Sequence, residues 1–426
     1  MTTTDPLFDP AIVEDPYAYY AELRENDPVH LLEGTSTYLV TRLDLIHEVV
    51  GDPGTFSSNT NAFLHLAADG TPKLRDALGD EPASGMSDVA VLATADPPKH
   101  TQQRRVLSPV LTKGALARRE QQFRELVDGA LDVALAADRV EWMSTIAEPL
   151  PSVMVARLLG LEDDVWPFLK ETGFASVEQI GGFVSDDRRL ELRDLMTRLG
   201  PVADAYMAAR SGGTVDPETV LGVVSNAVGT GDMDDIEAIG TLMLFVSAGT
   251  ESTTSLLGTA AHILASRSDL QQQLRDDPDL IETFVEEVLR IDPPFRGHYR
   301  RVTRDTTLHG VDIPAEARVI LVWPAANRDP RGFQGPEEIR LDRVSPRQHV
   351  GFGWGIHLCV GAPLARLEAR VTLERLLART SSFSLDPAGG SLRHHRSLMI
   401  RRLVELPLLM TPNMPTPTQG RSVAAS

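Results

Sequence analysis

One ten-residue segment concentrates the reactive chemistry of this chain: Phe352-Gly353-Trp354-Gly355-Ile356-His357-Leu358-Cys359-Val360-Gly361. Cys359 is the chain's single cysteine, so no internal disulfide and no cysteine-based zinc site can form. A lone cysteine is most often a small buried hydrophobe. Its neighbours point elsewhere. The glycines at 353, 355 and 361 let the backbone turn tightly and approach another atom closely. A helical pattern begins at Ala362, which puts Cys359 at a helix N-terminus. Free N–H groups and the positive end of the helix dipole favour a thiolate there.

Three further clusters hold reactive types at telling distances. In Glu287-Val288-Leu289-Arg290 the acid and the base lie three apart, on one helix face, where they can pair. The stretch 236–266 is apolar nearly all round and so should be buried. Its middle reads Ala248-Gly249-Thr250-Glu251-Ser252-Thr253. A carboxylate inside such a helix is costly unless paired or wet. The small residues before it leave room for a ligand, and the hydroxyls can bond carbonyls one turn earlier and open the helix. Finally, in Asp96-Pro97-Pro98-Lys99-His100-Thr101-Gln102-Gln103-Arg104-Arg105 the prolines start a helix, and His100 and Arg104 share one face.

Taken together, these segments resemble the cytochrome P-450 superfamily. The loop matches the pattern Phe-x-x-Gly-x-His-x-Cys-x-Gly. The Glu287/Arg290 pair, the acid–hydroxyl segment, the His100/Arg104 helix, Arg300 and Asn327-Arg328-Asp329-Pro330 follow the family's order along nearly the whole chain. The likeness is to soluble bacterial members of actinobacterial type. It implies haem b, with the Cys359 thiolate as iron ligand pushing electron density onto the metal. Phe352 should pack beside the sulfur, with Gly361 in the same loop. His100, Arg104, Arg300 and His357 should bind the haem propionates, where a forked guanidinium suits a carboxylate. Glu251, Ser252 and Thr253 should relay protons for dioxygen reduction. The family usually has threonine after the acid; Ser252 keeps the hydroxyl but lacks the methyl that restrains its rotamer. Glu287 and Arg290 should anchor the loop before the cysteine, with Arg343 or His349 as a third, basic partner.

The activity so implied is monooxygenation: one oxygen atom enters an apolar C–H or C=C bond of a small molecule. Electrons would come from NAD(P)H through ferredoxin and ferredoxin reductase, since the chain has no flavin or iron–sulfur motif. Two rivals keep the haem: a non-catalytic ligand sensor, which needs no proton relay, and a peroxide-driven peroxygenase, which would do without the acid–alcohol pair. The substrate pocket is expected from Phe245, Ala248, Gly249, Arg296, His298, Tyr299, Leu398 and Met399 and from the loop 59–95, with Arg296 and His298 able to meet a polar end.

These residues need a frame. Helical periodicity predicts helices over 16–26, 115–137, 145–159, 188–209, 236–266, 278–290 and 362–380. Strand signals fall at 29–32 and 37–40 around Gly34, at 307–308, at 319–321 and within 398–409. The result is an α+β, predominantly α fold in one large domain over 1–410, with small antiparallel sheets. Residues 59–98 read as a long loop, and the proline-rich tail 411–426 as disordered.

The formal net charge of −19 argues against nucleic acid or an anionic membrane surface as partner. No secretory pattern and no long apolar run is visible, so the chain reads as cytoplasmic, without a membrane anchor. An acidic ferredoxin would be repelled unless its docking face is locally basic. Arg105, Lys113 and Arg366 are the candidates on the thiolate side.

Overall fold

The structure is a computed structural model that describes residues 5–60, 62–76, 89–198 and 200–413. Its axis is the helix Asp235–Ser266. Asp234 caps it by accepting from the Glu237 N–H, and the Glu237 side chain returns the bond to Asp234. Other helices approach it closely because small residues lie at the crossings. A Cβ on Gly173 of Trp166–Gln179 would stand 2.2 Å from the Thr250 hydroxyl. One on Gly249 would stand 2.7 Å from Val155 of Pro149–Leu159. The helix Ala362–Arg379, with proline in its first turn, packs into the same core through Leu364, Leu367 and Leu373.

Several expected helices are present with altered limits. The stretch 115–137 divides into Lys113–Ala117 and Glu120–Ala134. A π-type turn, Met143–Ala147, precedes Pro149–Leu159. The stretch 188–209 breaks where Gly200-Pro201 begins a second helix, giving Asp186–Thr197 and Gly200–Arg210. Leu43–Gly51, Trp166–Gln179 and Val220–Thr230 are helices the periodicity did not predict.

The main sheet has five strands, in the order Val29–Leu32, Thr37–Val40, Arg318–Val322, Gly297–Val302, Phe56–Ser57. Thr37 pairs with Arg318 in parallel; the other pairs are antiparallel. Two short hairpins and a three-stranded sheet complete the β structure. One hairpin, Ala62–Leu66 with Pro72–Asp76, lies inside the stretch expected to be a loop; residues 77–88 of that stretch lie outside the described residues. The expected strands in 398–409 reduce to Pro407–Pro412 plus isolated bridges at Ile400 and Leu403. The tail boundary is corrected by the same strand. Thr411 and Pro412 are part of it, and the Asn413 N–H donates to the Arg379 carbonyl. The rest of the tail, 414–426, lies outside the described residues. Among the described residues, no helix is long and apolar enough to cross a membrane.

Candidate active site

The cysteine loop is a compact set of turns. Gly353 and Gly355 both have φ +71°, a region that L side chains rarely adopt. Gly355 also lies against the Val50 carbonyl, 3.4 Å from where a Cβ would sit. The Cys359 N–H donates to the Phe352 carbonyl at 2.9 Å, closing the loop just before the helix. Cys359 is open on one side, although protein surrounds the rest of it. Burial pushes its thiol up, while the Gly361 N–H and the charges of Arg104 and Arg366 act the other way. A Cβ on Gly361 would stand 3.7 Å from the sulfur.

Two buried acids fasten this loop. Glu287 accepts from Arg290 at 2.8 and 2.9 Å and from Arg343 at 2.7 and 3.2 Å; neither Glu287 nor Arg290 is solvent-exposed. Arg290 also donates to the carbonyls of Asn327, Pro336 and Glu338. Arg343 is therefore the third partner, and His349 is not. His349 meets Glu286 at 3.0 Å, and Arg366 grips the same acid at 2.6 and 2.9 Å. Burial works against ionisation of Glu286, but the hydrogen bonds from His349 and Arg366 hold its carboxyl down at about 2. The Arg366 guanidinium lies 4.5 Å over the Phe352 ring. This second acid was missed by sequence reasoning, although it adjoins Glu287.

Near the cysteine loop lies a group of donors that no acid pairs among the described residues, although Asp96 acts on Arg300 and His100 through its charge. The rings of His100 and His357 are 4.1 Å apart, and His100 Nδ1 and His357 Nε2 are buried with no hydrogen-bond partner among the described residues. Arg300 is buried, donates to its neighbour's carbonyl, and makes no ion pair among the described residues. Burial pushes it down to about 10. His357 is pushed to about 3 by burial and by the charges of Arg300, His100 and Arg104. Arg104 donates to the Leu358 carbonyl at 2.7 Å, directly before the cysteine. A buried guanidinium without a paired acid, such as that of Arg300, is costly. A group bearing carboxylates beside the thiolate would match this set, and haem b carries two.

Glu251 is 2 % exposed in the central helix. Its Oε1 accepts from Arg402 Nε at 2.9 Å, while Oε2 has no partner among the described residues. Burial pushes the carboxyl up to about 7 even though Arg402 opposes it. Arg402 also lies 4.7 Å over the Phe174 ring, and Ser255 donates to the adjacent Arg401 carbonyl. Nothing local in the sequence marks Arg402 as the partner. Ser252 donates to the Ala248 carbonyl at 2.7 Å, and Thr250 to that of Val246 at 3.0 Å. The helix remains continuous through these bonds, so the expected opening is absent. Thr253 is buried.

The expected pocket residues separate into two groups. Ala248 is exposed in the middle of the central helix, with half-buried Phe245 and Ser252 on the same stripe. Leu398 is half-buried, near the Ala62–Leu66 hairpin. His298 shares a strand face with Arg300, accepts from the Trp323 indole at 2.7 Å, and is pushed to about 4 by burial. Four residues do not face a ligand in the expected way. Gly249 makes room for Val155 rather than for a small molecule. Arg296 turns to the carbonyls of Val13 and Ile400, because a buried guanidinium takes whatever acceptors are nearest. Tyr299 points to the opposite face of its strand, where its hydroxyl accepts from the Leu64 N–H at 3.1 Å. Met399 is buried in the cluster that contains Tyr20 and Leu39.

Comparison with known proteins agrees with this geometry. The family model for cytochrome P-450 matches residues 221–396. Cytochrome P-450 144 of Mycobacterium tuberculosis is 38% identical over 404 residues, covering 94% of this chain and 90% of that protein. The cytochrome P-450 monooxygenase PikC of Streptomyces venezuelae is 32% identical over 408 residues, covering 92% of this chain and 91% of that protein. Among solved structures, CalO2 superposes with a TM-score of 0.83 at 27% identity, covering 97% of this chain and 100% of that one. A cysteine loop pinned by buried acids, donors suited to two carboxylates and this likeness lead to one result: the chain belongs to the cytochrome P-450 family, and is a haem b monooxygenase.

Proposed function

We propose that this monooxygenase takes electrons from NAD(P)H through ferredoxin and its reductase, and hydroxylates or epoxidises an apolar small molecule. In this reading the protein is cytoplasmic, and the chain up to Asn413 is one domain. When bound, haem supplies the dioxygen chemistry. Cys359 holds it from one side. His100, Arg104, Arg300 and His357 orient its propionates. Glu287 and Glu286, through their arginines, keep the cysteine loop in place. Glu251 holds a proton at Oε2, and the Ser252 hydroxyl can turn from the Ala248 carbonyl to pass it on. The apolar stripe of Phe245 and Ala248 excludes water from the substrate.

The observation that carries the reading is Glu251: a buried acid near neutrality with one oxygen unpartnered among the described residues, beside a hydroxyl. A haem protein that only binds ligands has no use for it. The test compares turnover of one substrate with ferredoxin, reductase and NAD(P)H against turnover on peroxide. Reductive turnover, and a strongly red-shifted ferrous–CO Soret band that Cys359→Ala abolishes, are the expected results. A histidine-type CO spectrum in the wild type, or turnover on peroxide only, overturns the proposal.

A further inference from the structure

Arg401 and Arg402 lie between the isolated bridges at Ile400 and Leu403 and take different partners. Arg402 donates to Glu251 at 2.9 Å and lies over the Phe174 ring. Its other acceptor among the described residues is the Leu403 carbonyl, at 3.5 Å. Arg401 enters a separate, largely buried cluster that the proton relay does not use. Its guanidinium forms an ion pair with Asp292 at 2.8 Å and donates to the Glu14 carbonyl at 2.5 Å. The Tyr17 hydroxyl donates to the same Asp292 oxygen, and the Arg328 guanidinium covers the Tyr17 ring at 3.4 Å. His394 sets its main-chain N–H and its ring against the Glu14 carboxylate. His262, on the central helix, lies in the field of both Asp292 and Arg401.

The main chain that carries the two arginines is held as firmly. The Arg401 N–H donates to the Pro294 carbonyl at 2.8 Å, and the Arg402 carbonyl accepts from the His395 N–H at 2.7 Å. Ser255 donates to the Arg401 carbonyl. Ser255 stands one turn after Glu251 on the central helix, so the acid and the arginine peptide are set against the same stretch of helix. An arginine held on one carboxylate gives up much side-chain freedom. Arg402 therefore keeps its place on Glu251 only while its backbone is fixed. Arg401 supplies that fixture. Its pair with Asp292 is largely out of water, and a guanidinium so placed stays with its acid because separation is costly.

We propose that Arg401 is a positioning residue for the proton-relay acid: anchored on Asp292, it sets the main chain from which Arg402 grips Glu251. This rests on the monooxygenase reading, which gives Glu251 its role, and adds the device that holds its cation. Arg402 favours the Glu251 carboxylate, whereas Glu178 on the helix Trp166–Gln179 and Glu148 before the helix Pro149–Leu159 oppose it. Glu178 is itself paired with Arg188, and Glu148 with Lys170. His395 lies in the fields of Arg402 and Glu178. Arg401 acts on Glu251 through Arg402, so releasing it weakens the grip of the cation that favours the charged form.

The test titrates Glu251 directly in the haem-loaded enzyme. Its protonated carboxyl is followed by difference infrared spectroscopy and assigned by its loss in Glu251→Gln, since burial raises Glu368 as well. In wild type the band disappears as pH rises through about 7. Arg402→Met raises that midpoint by about one unit or more, the scale of one close opposite charge. Arg401→Met and Asp292→Asn each raise it by about half a unit or more. Arg401→Lys, which still pairs with Asp292, keeps the wild-type midpoint. In an Arg402→Met background Arg401→Met adds no shift, because the two act as one unit. The pH at which turnover falls follows the midpoint in every variant. A midpoint at or below the wild-type value in either Arg401→Met or Asp292→Asn overturns the proposal, whatever the melting points. So does a rise in Arg401→Lys equal to that in Arg401→Met, or a shift that persists without Arg402 and so reports a direct field. Should Arg401→Met not fold, Asp292→Asn decides alone and in the Arg402→Met background; its amide oxygen still accepts from the Tyr17 hydroxyl. The infrared titration needs no turnover and the CO spectrum reports the thiolate, so failure of the positioning device stays distinguishable from failure of the monooxygenase reading.

Discussion

The two sides of the site are held by opposite means. Below the cysteine loop, every oxygen of Glu287 and Glu286 meets a cation, and the cations donate onward to carbonyls. In the central helix Glu251 has Arg402 on one oxygen and, among the described residues, no partner on the other. Both sides bury carboxylates, so burial alone does not set their behaviour. The number of charged donors does: Glu286 is held at about 2, whereas Glu251 rises to about 7. A fully paired acid fixes geometry. An acid left short of partners is pushed toward its protonated form. Hydrogen-bond partners thus set two buried acids apart on one and the same scaffold.

Breaking the paired side should have the largest effect. Glu287→Ala leaves Arg290 charged and fully buried, which costs about 3–5 kcal/mol. Thermal unfolding should show it, together with haem loss. Arg343→Met removes only the outer grip and should cost about 1.5–3 kcal/mol, the range for hydrogen bonds to a charged group. If the two variants were equally stable, the inner pair would not be the anchor. Acid should act on the same side. The folded-state carboxyl of Glu286 lies below its ordinary value, so its contribution to stability is present above pH 4.5 and lost as pH falls through about 2. Replacing Glu286 with Gln should flatten that part of the acid-unfolding curve.

The unpaired side sharpens the contrast through rate. Glu251→Gln keeps the size but removes the acid, and should slow oxygen-dependent turnover about 100-fold. Wild-type turnover should fall as pH rises through about 7, because the protonated form is lost there. The stability sign is opposite to that of Glu286. A raised carboxyl stabilises the fold fully below pH 4.5, and that contribution is lost as pH rises through about 7. Glu251→Gln should therefore unfold at a higher temperature than wild type at pH 8, and a lower melting point there would refute the assignment. Arg402→Met should move the fall in activity to higher pH, since the cation that favours the carboxylate is gone.

The same contrast explains what the sequence could reveal. Glu287 and Arg290 pair within one helical turn, and local spacing is visible without a structure. The cysteine loop is legible for a similar reason: its glycines and its cysteine act through their own backbone. Arg402 reaches Glu251 from a segment 151 positions away, and nothing in its surroundings signals the contact. Gly249 misled because a small residue before an acid fits a ligand and a packed helix equally well; Val155 decided between them. The hairpin of Ala62–Leu66 with Pro72–Asp76 carries Asp69-Gly70 in its five-residue connection, a turn signal that the reading of the whole stretch as loop passed over. Arg343 over His349 required the tertiary fold, since both lie ahead of the cysteine at suitable distances.

The smallest expected effect concerns the partner. Charge placed Arg105, Lys113 and Arg366 together as a ferredoxin docking face, but the structure divides them. Arg366 is bonded twice to Glu286 and stacked on Phe352, so its charge is used inside the anchor. Arg105 is exposed and meets Asp232 only at 3.3 Å, and Lys113 is exposed. A surface contact of that kind holds little of a cation's charge back from a partner. Reversing Arg105 and Lys113 to glutamate should slow electron transfer from ferredoxin about tenfold at low ionic strength, with the difference fading as salt screens it. Thermal stability and the CO spectrum should not change. Arg366→Met should do the reverse: it leaves Glu286 with the His349 ring and the more distant Arg347 guanidinium and lowers the melting point, while the salt dependence of electron transfer stays that of wild type. If Arg366→Met instead altered the salt dependence and left stability intact, Arg366 would belong to the docking face and the anchor would end at Glu287.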